Sequence, residues 1–408
     1  MLEGHNIVYF APEKWDGLWR NRQQLMSVFA RQNRVLIVEP RLHLRQVRAS
    51  LRQGQLKLSD LNRPILRQVA QNLYIFRYPE WLPISGRFPL NKFTKITRHL
   101  FIRNALQTLS MTRPIVWFSR PQMISLLDEI GPASLRVYHV VDEYTAYSNQ
   151  KEFRRWRAAE REKLMLSQVD AVVVVSKKLY EAKHSFNPNT HLVPNGVDYQ
   201  AYSTALAEPC LPDDLKVIEK PRLGYIGLIG DKLNFDMLKD VALEHPEWSL
   251  IFLGQVAVSG QSAAAWQTLK ALPNVYHLGP VDVARVPHYV KGFQVGLMPY
   301  VQNRHAEHIS PLKLYDYLAA GLPVASVDIP SVRQFSQYIH VAESPPHFST
   351  AVQAALLDTT SEHWHTRRNI AAGHTWEARV EQISDILQAQ LAAKALPTNG
   401  LVPAQNQF

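Results

Sequence analysis

HISPLKLYDYLAAGLPVASVD, residues 308–328, reads as loop, helix and strand in succession. Ser310 is placed as an N-cap and Pro311 as the first helical residue. Leu312, Leu314, Tyr315, Leu318 and Ala319 form the apolar face that any α/β protein would press against a sheet. Gly321 stops the helix, and Pro323-Val324 opens the next strand. A helix start offers unpaired N–H groups and the positive end of the helix dipole, which suits a phosphate. Lys313 in the first turn adds a point charge for a pyrophosphate, although taken alone it reads as an ordinary solvated lysine. Asp316, three residues on, falls on the same side and offers a carboxylate to the hydroxyls of a ribose.

The rest of the chain supplies the frame for that helix. Apolar runs at 6–10, 35–38, 73–77, 115–118, 137–141 and 171–175 alternate with helical patterns at 18–31, 88–109 and 151–168. The order repeats with strands at 222–226, 249–253, 275–278, 295–298 and 323–326, and helices near 235–245, 262–272, 313–320 and 331–336. Strands apolar on both faces and separated by helices predict an α/β fold of two doubly wound, Rossmann-like domains. Residues 1–198 form the first domain and 221–375 the second. The Pro-containing stretch 199–220 joins them, 376–392 is a final helix, and 393–408 is a frayed tail. Ligands in such sheets bind beyond the carboxyl ends of the strands, so the cleft between the domains is the expected site.

Four further segments end on that cleft. In PRLGYIGLIGDKLNFDML, residues 221–238, Gly227 and Gly230 follow a strand and let the backbone approach a phosphate, with Lys232 the nearest cation. SQVDAVVVVSKKLYEAK, residues 167–183, and HLVPNGVD, residues 191–198, place Ser176 as a helix cap and Asn195-Gly196 as a turn near the cleft. Asp142-Glu143-Tyr144 follows the strand at 137–141, so Asp142 is placed either to orient or deprotonate an acceptor hydroxyl or to cap the next helix. The first loop, APEKWDGLWRNR at 11–22, joins Trp15, Asp16, Trp19 and Arg22 in the mixture of aromatic faces and charge that carbohydrate sites use, with core packing of the first helix as the alternative for Trp19.

Together these segments resemble the retaining GT-B glycosyltransferases, group 1 or family 4-like. The resemblance is to the branch with a P-L-K-L-Y-[DE]-Y donor-site helix, as in bacterial polysaccharide or teichuronic acid biosynthesis. In the family's E-x(7)-E pattern Asp316 stands at the second glutamate and His308 at the first, and Leu318 to Val324 matches the sequel A-x-G-x-P-V. The substitution by His308 implies a difference in recognition of the donor sugar. The resemblance implies a GT-B fold and a nucleotide-diphosphate sugar donor, bound by Gly227, Gly230, Lys232, His308, Ser310, Pro311, Leu312, Lys313 and Asp316. It implies an acceptor side made of Trp15, Asp16, Arg22 and His139, with Asp142 and Lys313 in the chemistry. It also implies transfer with retention, no cofactor beyond the sugar donor, no metal, and a final helix that crosses back to the first domain.

Composition bounds the alternatives. Residues 1–200 carry 30 Lys+Arg against 16 Asp+Glu, and residues 201–408 carry 15 against 19. The excess is densest in 41–103, with 13 basic residues opposed by Asp60 and Glu80. Such a stretch is either a solvated arginine-rich face or a patch for an anionic membrane surface, a phosphorylated acceptor or a nucleic acid. Nucleic acid is the least expected partner; a glycan or lipid-linked acceptor is the favoured one. One cysteine, Cys210, allows no internal disulfide, and no apolar run nears the ~20 residues of a spanning helix, so a cytoplasmic, soluble or peripheral protein is expected. No H-E-x-x-H, paired Cys/His spacing or D-x-D clamp occurs to hold a metal. A nucleotide-sugar epimerase on the same fold and a non-catalytic basic binding protein are the competing readings.

Overall fold

The computed structural model describes residues 1–17, 19–40, 51–52, 65–79, 90–144 and 152–395. Much of the basic stretch 41–103, the tail from 396 and the start of the helix expected after Tyr144 lie outside the described residues.

The first-half apolar runs become strands β1 (Asn6–Phe10), β2 (Arg34–Val38), β4 (Leu73–Phe76), β5 (Ile115–Phe118), β6 (Leu135–Val140) and β7 (Ala171–Val174). With β3 (Leu66–Ala70) and β8 (Thr190–Leu192) they form one sheet in the order β3-β4-β2-β1-β5-β6-β7-β8. Every neighbouring pair is parallel except β3 with β4. Alternate residues point to opposite faces, which splits the apolar strands between two cores. Ile7, Tyr9, Ile37, Trp117 and Val137 pack with Leu25 and Phe29 of the Asn21–Phe29 helix on one face. Val8, Phe10, Val38, Phe118 and Tyr138 pack on the other, with Ile102 of the Leu90–Thr108 helix and Met165 of the Glu152–Gln168 helix.

The second sheet contains β9 (Arg222–Ile226), β11 (Ser249–Leu253), β13 (Val275–Gly279), β14 (Val295–Met298), β15 (Val324–Val327) and β16 (His340–Ala342). It is parallel throughout, in the order β13-β11-β9-β14-β15-β16. β10 (Ile229–Gly230) and β12 (Val256–Ala257) form a separate two-stranded pair. Strand order reverses between β1 and β5 in one sheet and between β9 and β14 in the other. Those crevices are where open α/β sheets bind ligands. At the second crevice β9 and β14 pair only through Leu223–Val295 and Gly224–Gly296. The Tyr317 hydroxyl enters there, donating to the Gly224 carbonyl (3.0 Å) and accepting from the Ile226 N–H (3.2 Å).

The expected linker 199–220 is partly helical: Tyr199–Ala207 forms a helix because Asp198 caps it, accepting from the Ala201 N–H at 3.0 Å. The final helix runs from Trp376 to Ala395, and its Trp376, Val380, Ile383 and Leu387 pack into the core of the first sheet.

The loops after β9 and β11 are pressed together. Gly254 has φ +150°, and a Cβ there would meet the Gly227 carbonyl oxygen at 2.0 Å. Only glycine meets both demands. Gly254→Ala is therefore expected to lower stability by more than about 2 kcal/mol, measured by denaturant unfolding, because backbone rather than a movable side chain is in the way. A G254A chain as stable as its parent would contradict this packing.

Candidate active site

The Leu312–Ala319 helix begins one residue later than expected. Pro311, with ψ 120°, holds the extended N-cap position, and no side chain caps the helix. Ser310 is thus not the cap; its hydroxyl lies against the Tyr315 phenol. The segment before the helix is tied to the other half of the chain. Ser176 Oγ donates to the His308 carbonyl (2.7 Å) while accepting from the Leu179 N–H (3.4 Å) as the expected cap of the Lys177–Lys183 helix. Asn195 Nδ2 donates to the Ser310 carbonyl at 2.7 Å. Leu312 packs on the core of the first sheet. The helix start is therefore held where the two halves meet. The His308 ring turns back into its own loop, with Nδ1 2.7 Å from the Arg304 carbonyl.

Lys313 is not a solvated lysine. It is buried, with Nζ donating to the Tyr300 hydroxyl (2.8 Å) and lying 4.5 Å and 5.1 Å from the centres of the Tyr225 and Tyr300 rings. Burial holds its pKa well below the usual lysine value; Lys232 depresses it further and Asp316 opposes the shift. A Cβ built on Gly227 would lie 3.8 Å from this ammonium. Gly227, at φ +107°, thus presents bare backbone to the charge. Lys232 is half-buried, its Nζ 5.6 Å from the Tyr300 ring centre. Burial depresses its pKa, Asp142 raises it, and Arg20 lowers it. The Lys232 carbonyl accepts from the Val301 N–H (2.9 Å), so the loop after β9 is joined to the segment that follows β14. Gly230 serves a different purpose from the one expected: its backbone pairs with Ala257, and a Cβ would crowd the Ala257 carbonyl at 3.3 Å.

Asp316 is half-buried, and burial raises its pKa to about 7, opposed by Tyr202 and Lys313. The Tyr202 hydroxyl is near enough to favour the charged carboxylate, although it is outside full hydrogen-bonding geometry.

On the opposite wall, Asp142 Oδ1 lies 3.3 Å from His305 Nδ1 and accepts the Glu143 N–H at 3.0 Å. Its position is fixed from behind. Buried Glu143 accepts from Lys183 (2.8 Å), which also bonds Glu162 (2.7 Å), and Tyr138 donates to Glu162 (3.0 Å). His139 is corrected from an acceptor group to a core residue. It is buried edge-on to Trp117, and burial lowers its pKa to about 4, so it is neutral.

In the first loop the tryptophan expected on the acceptor side, Trp15, is the one that turns inward. Trp15 is in the core, its N–H bonded to Glu39 (2.8 Å), whereas Trp19 is 40% exposed. Asp16 is paired with Arg67 on β3, at the sheet edge. Arg22 is buried on Glu13 at 3.2 Å. The sequence reasoning missed Tyr225, Tyr300, His305, Arg20 and Arg120. Of these only Tyr300 carried a signal, as the residue just beyond an apolar strand. Among the described residues no group of three or more His, Cys, Asp or Glu is placed to hold a metal ion, and no helix is long and apolar enough to cross a membrane.

Residues 236–385 match the family model described as glycosyl transferase-like. The Bacillus subtilis protein TuaH, named as a teichuronic acid biosynthesis glycosyltransferase, is 32% identical over 244 residues, or 57% of this chain and 60% of that protein. The match thus spans less than two thirds of the relative's length. Among solved structures, sucrose-phosphate synthase of Thermosynechococcus elongatus aligns over 95% of this chain and 100% of its own at 16% identity, with a TM-score of 0.69. Anabaena HepE, solved with UDP and glucose, aligns over 94% of this chain and 99% of its own at 13% identity and a TM-score of 0.65. An E. coli trehalose-6-phosphate protein bound with UDP-2-fluoro glucose aligns over 94% and 99% at 10% identity and 0.63. Two doubly wound sheets with a shared cleft and this likeness across nearly the whole chain establish the GT-B fold.

Proposed function

We propose that the chain transfers a sugar from a nucleotide-diphosphate donor to a hydroxyl of a glycan or lipid-linked acceptor, with retention and without a metal. The observation that carries this is the Lys313 ammonium, shut among Tyr225 and Tyr300 at the β9/β14 crevice and facing the backbone of Gly227. A buried cation with one hydroxyl partner is stabilised by an arriving diphosphate. The match to a glycosyl transferase-like family and the likeness to TuaH of Bacillus subtilis support the same reading.

In the proposed step the acceptor oxygen bonds the anomeric carbon on the same face from which the diphosphate departs, which retains its configuration, while the bond from that carbon to the diphosphate oxygen breaks. The electron pair leaves with the diphosphate, whose new charge Lys313 and Lys232 neutralise from fixed positions. The acceptor proton passes to Asp142, which follows β6 and lies 3.3 Å from His305. Asp316 lies one helical turn from Lys313 and is assigned to the ribose.

Two outcomes test the assignment once a screen of UDP-, GDP- and ADP-sugars has identified the donor. Lys313→Met is expected to cut transfer by about 100-fold or more and to weaken the nucleoside diphosphate. Asp142→Asn is expected to cut transfer by about 100-fold while nucleoside diphosphate binding stays within about twofold of the parent. Undiminished transfer in the K313M chain would remove the leaving-group role.

The Asp316 carboxyl gives a pH signature. Its folded pKa of about 7 exceeds the ordinary carboxylate value, so the folded protein favours the protonated form and loses relative stability as pH rises toward 7. The melting temperature of an Asp316→Asn chain should therefore gain on the parent between about pH 4 and pH 7 and hold level above. Nucleoside diphosphate affinity should rise more steeply through pH 7 in the parent than in the Asp316→Asn chain. Parallel pH profiles in both chains would contradict the assignment.

A further inference from the structure

The loop after β1, the first turn of the Asn21–Phe29 helix and the turn after β5 gather three guanidinium groups round one carboxylate. Glu13 lies 3.2 Å from Arg22, 3.7 Å from Arg20 and 3.4 Å from Arg120. Two positive charges are left over. Arg22 is buried, while the side chains of Arg20 and Arg120 are 41% and 38% exposed and so open to an incoming group. The Nε–H of all three is buried without a partner. Like charges crowded on one carboxylate, with donors unsatisfied, are costly unless a second anion joins them.

The cluster stands at the β1/β5 crevice, where this sheet should bind its own ligand. Arg120 also lines a cavity of about 290 Å³ whose wall, among the described residues, comes from between Phe10 and Leu126 in the first half of the chain. That volume is just below the roughly 300–1,000 Å³ of ordinary ligand cavities, which suits a small ligand. The other charges on the wall are already engaged: Arg98 with Glu129 at 3.1 Å, and Glu39 with the Trp15 N–H. The Arg120 guanidinium lies 5.6 Å from the Tyr144 ring, two residues from Asp142, and Arg20 is near enough to Lys232 to depress its pKa. The cluster therefore adjoins both the proposed acceptor carboxylate and the proposed donor site.

We infer that the acceptor carries a negative charge, a carboxylate or a phosphate, and that Arg20 and Arg120 hold it. This rests on the proposed transfer reaction and adds the chemical class of the acceptor. The guanidinium fork matches either oxyanion with two parallel bonds, which a lysine cannot do.

Titration calorimetry on the full chain, saturated with the nucleoside diphosphate it binds, tests this with glucose, glucuronate, glucose 6-phosphate and inorganic phosphate as probes. At least one charged sugar should bind about tenfold or more tighter than glucose. Arg120→Gln and Arg20→Gln should each remove most of that preference, Arg120→Lys should restore only part, and nucleoside diphosphate affinity should stay within about twofold. Preference for glucuronate assigns a carboxylate. Preference for glucose 6-phosphate, with competition by inorganic phosphate, assigns a phosphate. Equal binding of all three sugars, or a preference untouched by Arg120→Gln, overturns the inference. Equal loss of nucleoside diphosphate affinity in both glutamine variants also overturns it, since the cluster would then serve the donor. A parent chain that binds no nucleotide at all would instead sink the transfer reaction.

Discussion

An ammonium group taken out of water needs compensation, and Lys313 has only part of it. One hydroxyl, from Tyr300, and the faces of two tyrosine rings surround the charge. Its depressed pKa expresses that shortfall. The surrounding fold keeps the group there nonetheless. Tyr317 binds the same helix to the gap between β9 and β14, and Gly254 packs against Gly227 so closely that no other residue fits. The result is a preorganised cation facing bare backbone, which favours an anion whose charge grows as a bond breaks.

The cleft is held together by polar ties as much as by packing. Ser176 and Asn195 grip the carbonyls of residues 308 and 310, Arg379 donates to the Asn195 carbonyl at 3.1 Å, and the Trp376–Ala395 helix lies in the core of the opposite sheet. Asp142 and His305 meet across the same gap. The walls proposed for donor and acceptor are thus placed relative to each other by a few named contacts.

The sheets were legible because their strands are short apolar runs, buried on both faces, and that pattern needs no tertiary information. β3 escaped because LRQVA is an exposed antiparallel edge, and β8 and β16 are only three residues long. The helix at Tyr199–Ala207 had a signal in Asp198, outweighed by the prolines that follow it. Lys313 was legible as a cation in a first turn, but its burial was not, because Tyr225 lies on β9 and Tyr300 beyond the end of β14, 75 positions later. The burial of Trp15 rather than Trp19 was not legible, since four residues of loop do not tell which ring turns inward. The arginine cluster could not be read at all: Glu13 and Arg120 are 107 positions apart and meet only because β1 and β5 are neighbours.

Everything in the chemistry follows from where the diphosphate lies. A crystal structure of the chain with its nucleoside diphosphate tests this directly. The account predicts a phosphate oxygen within hydrogen-bonding distance, about 3 Å, of Lys313 Nζ and close to the Gly227 backbone. A diphosphate bound elsewhere, with Lys313 still bonded only to Tyr300, would contradict it.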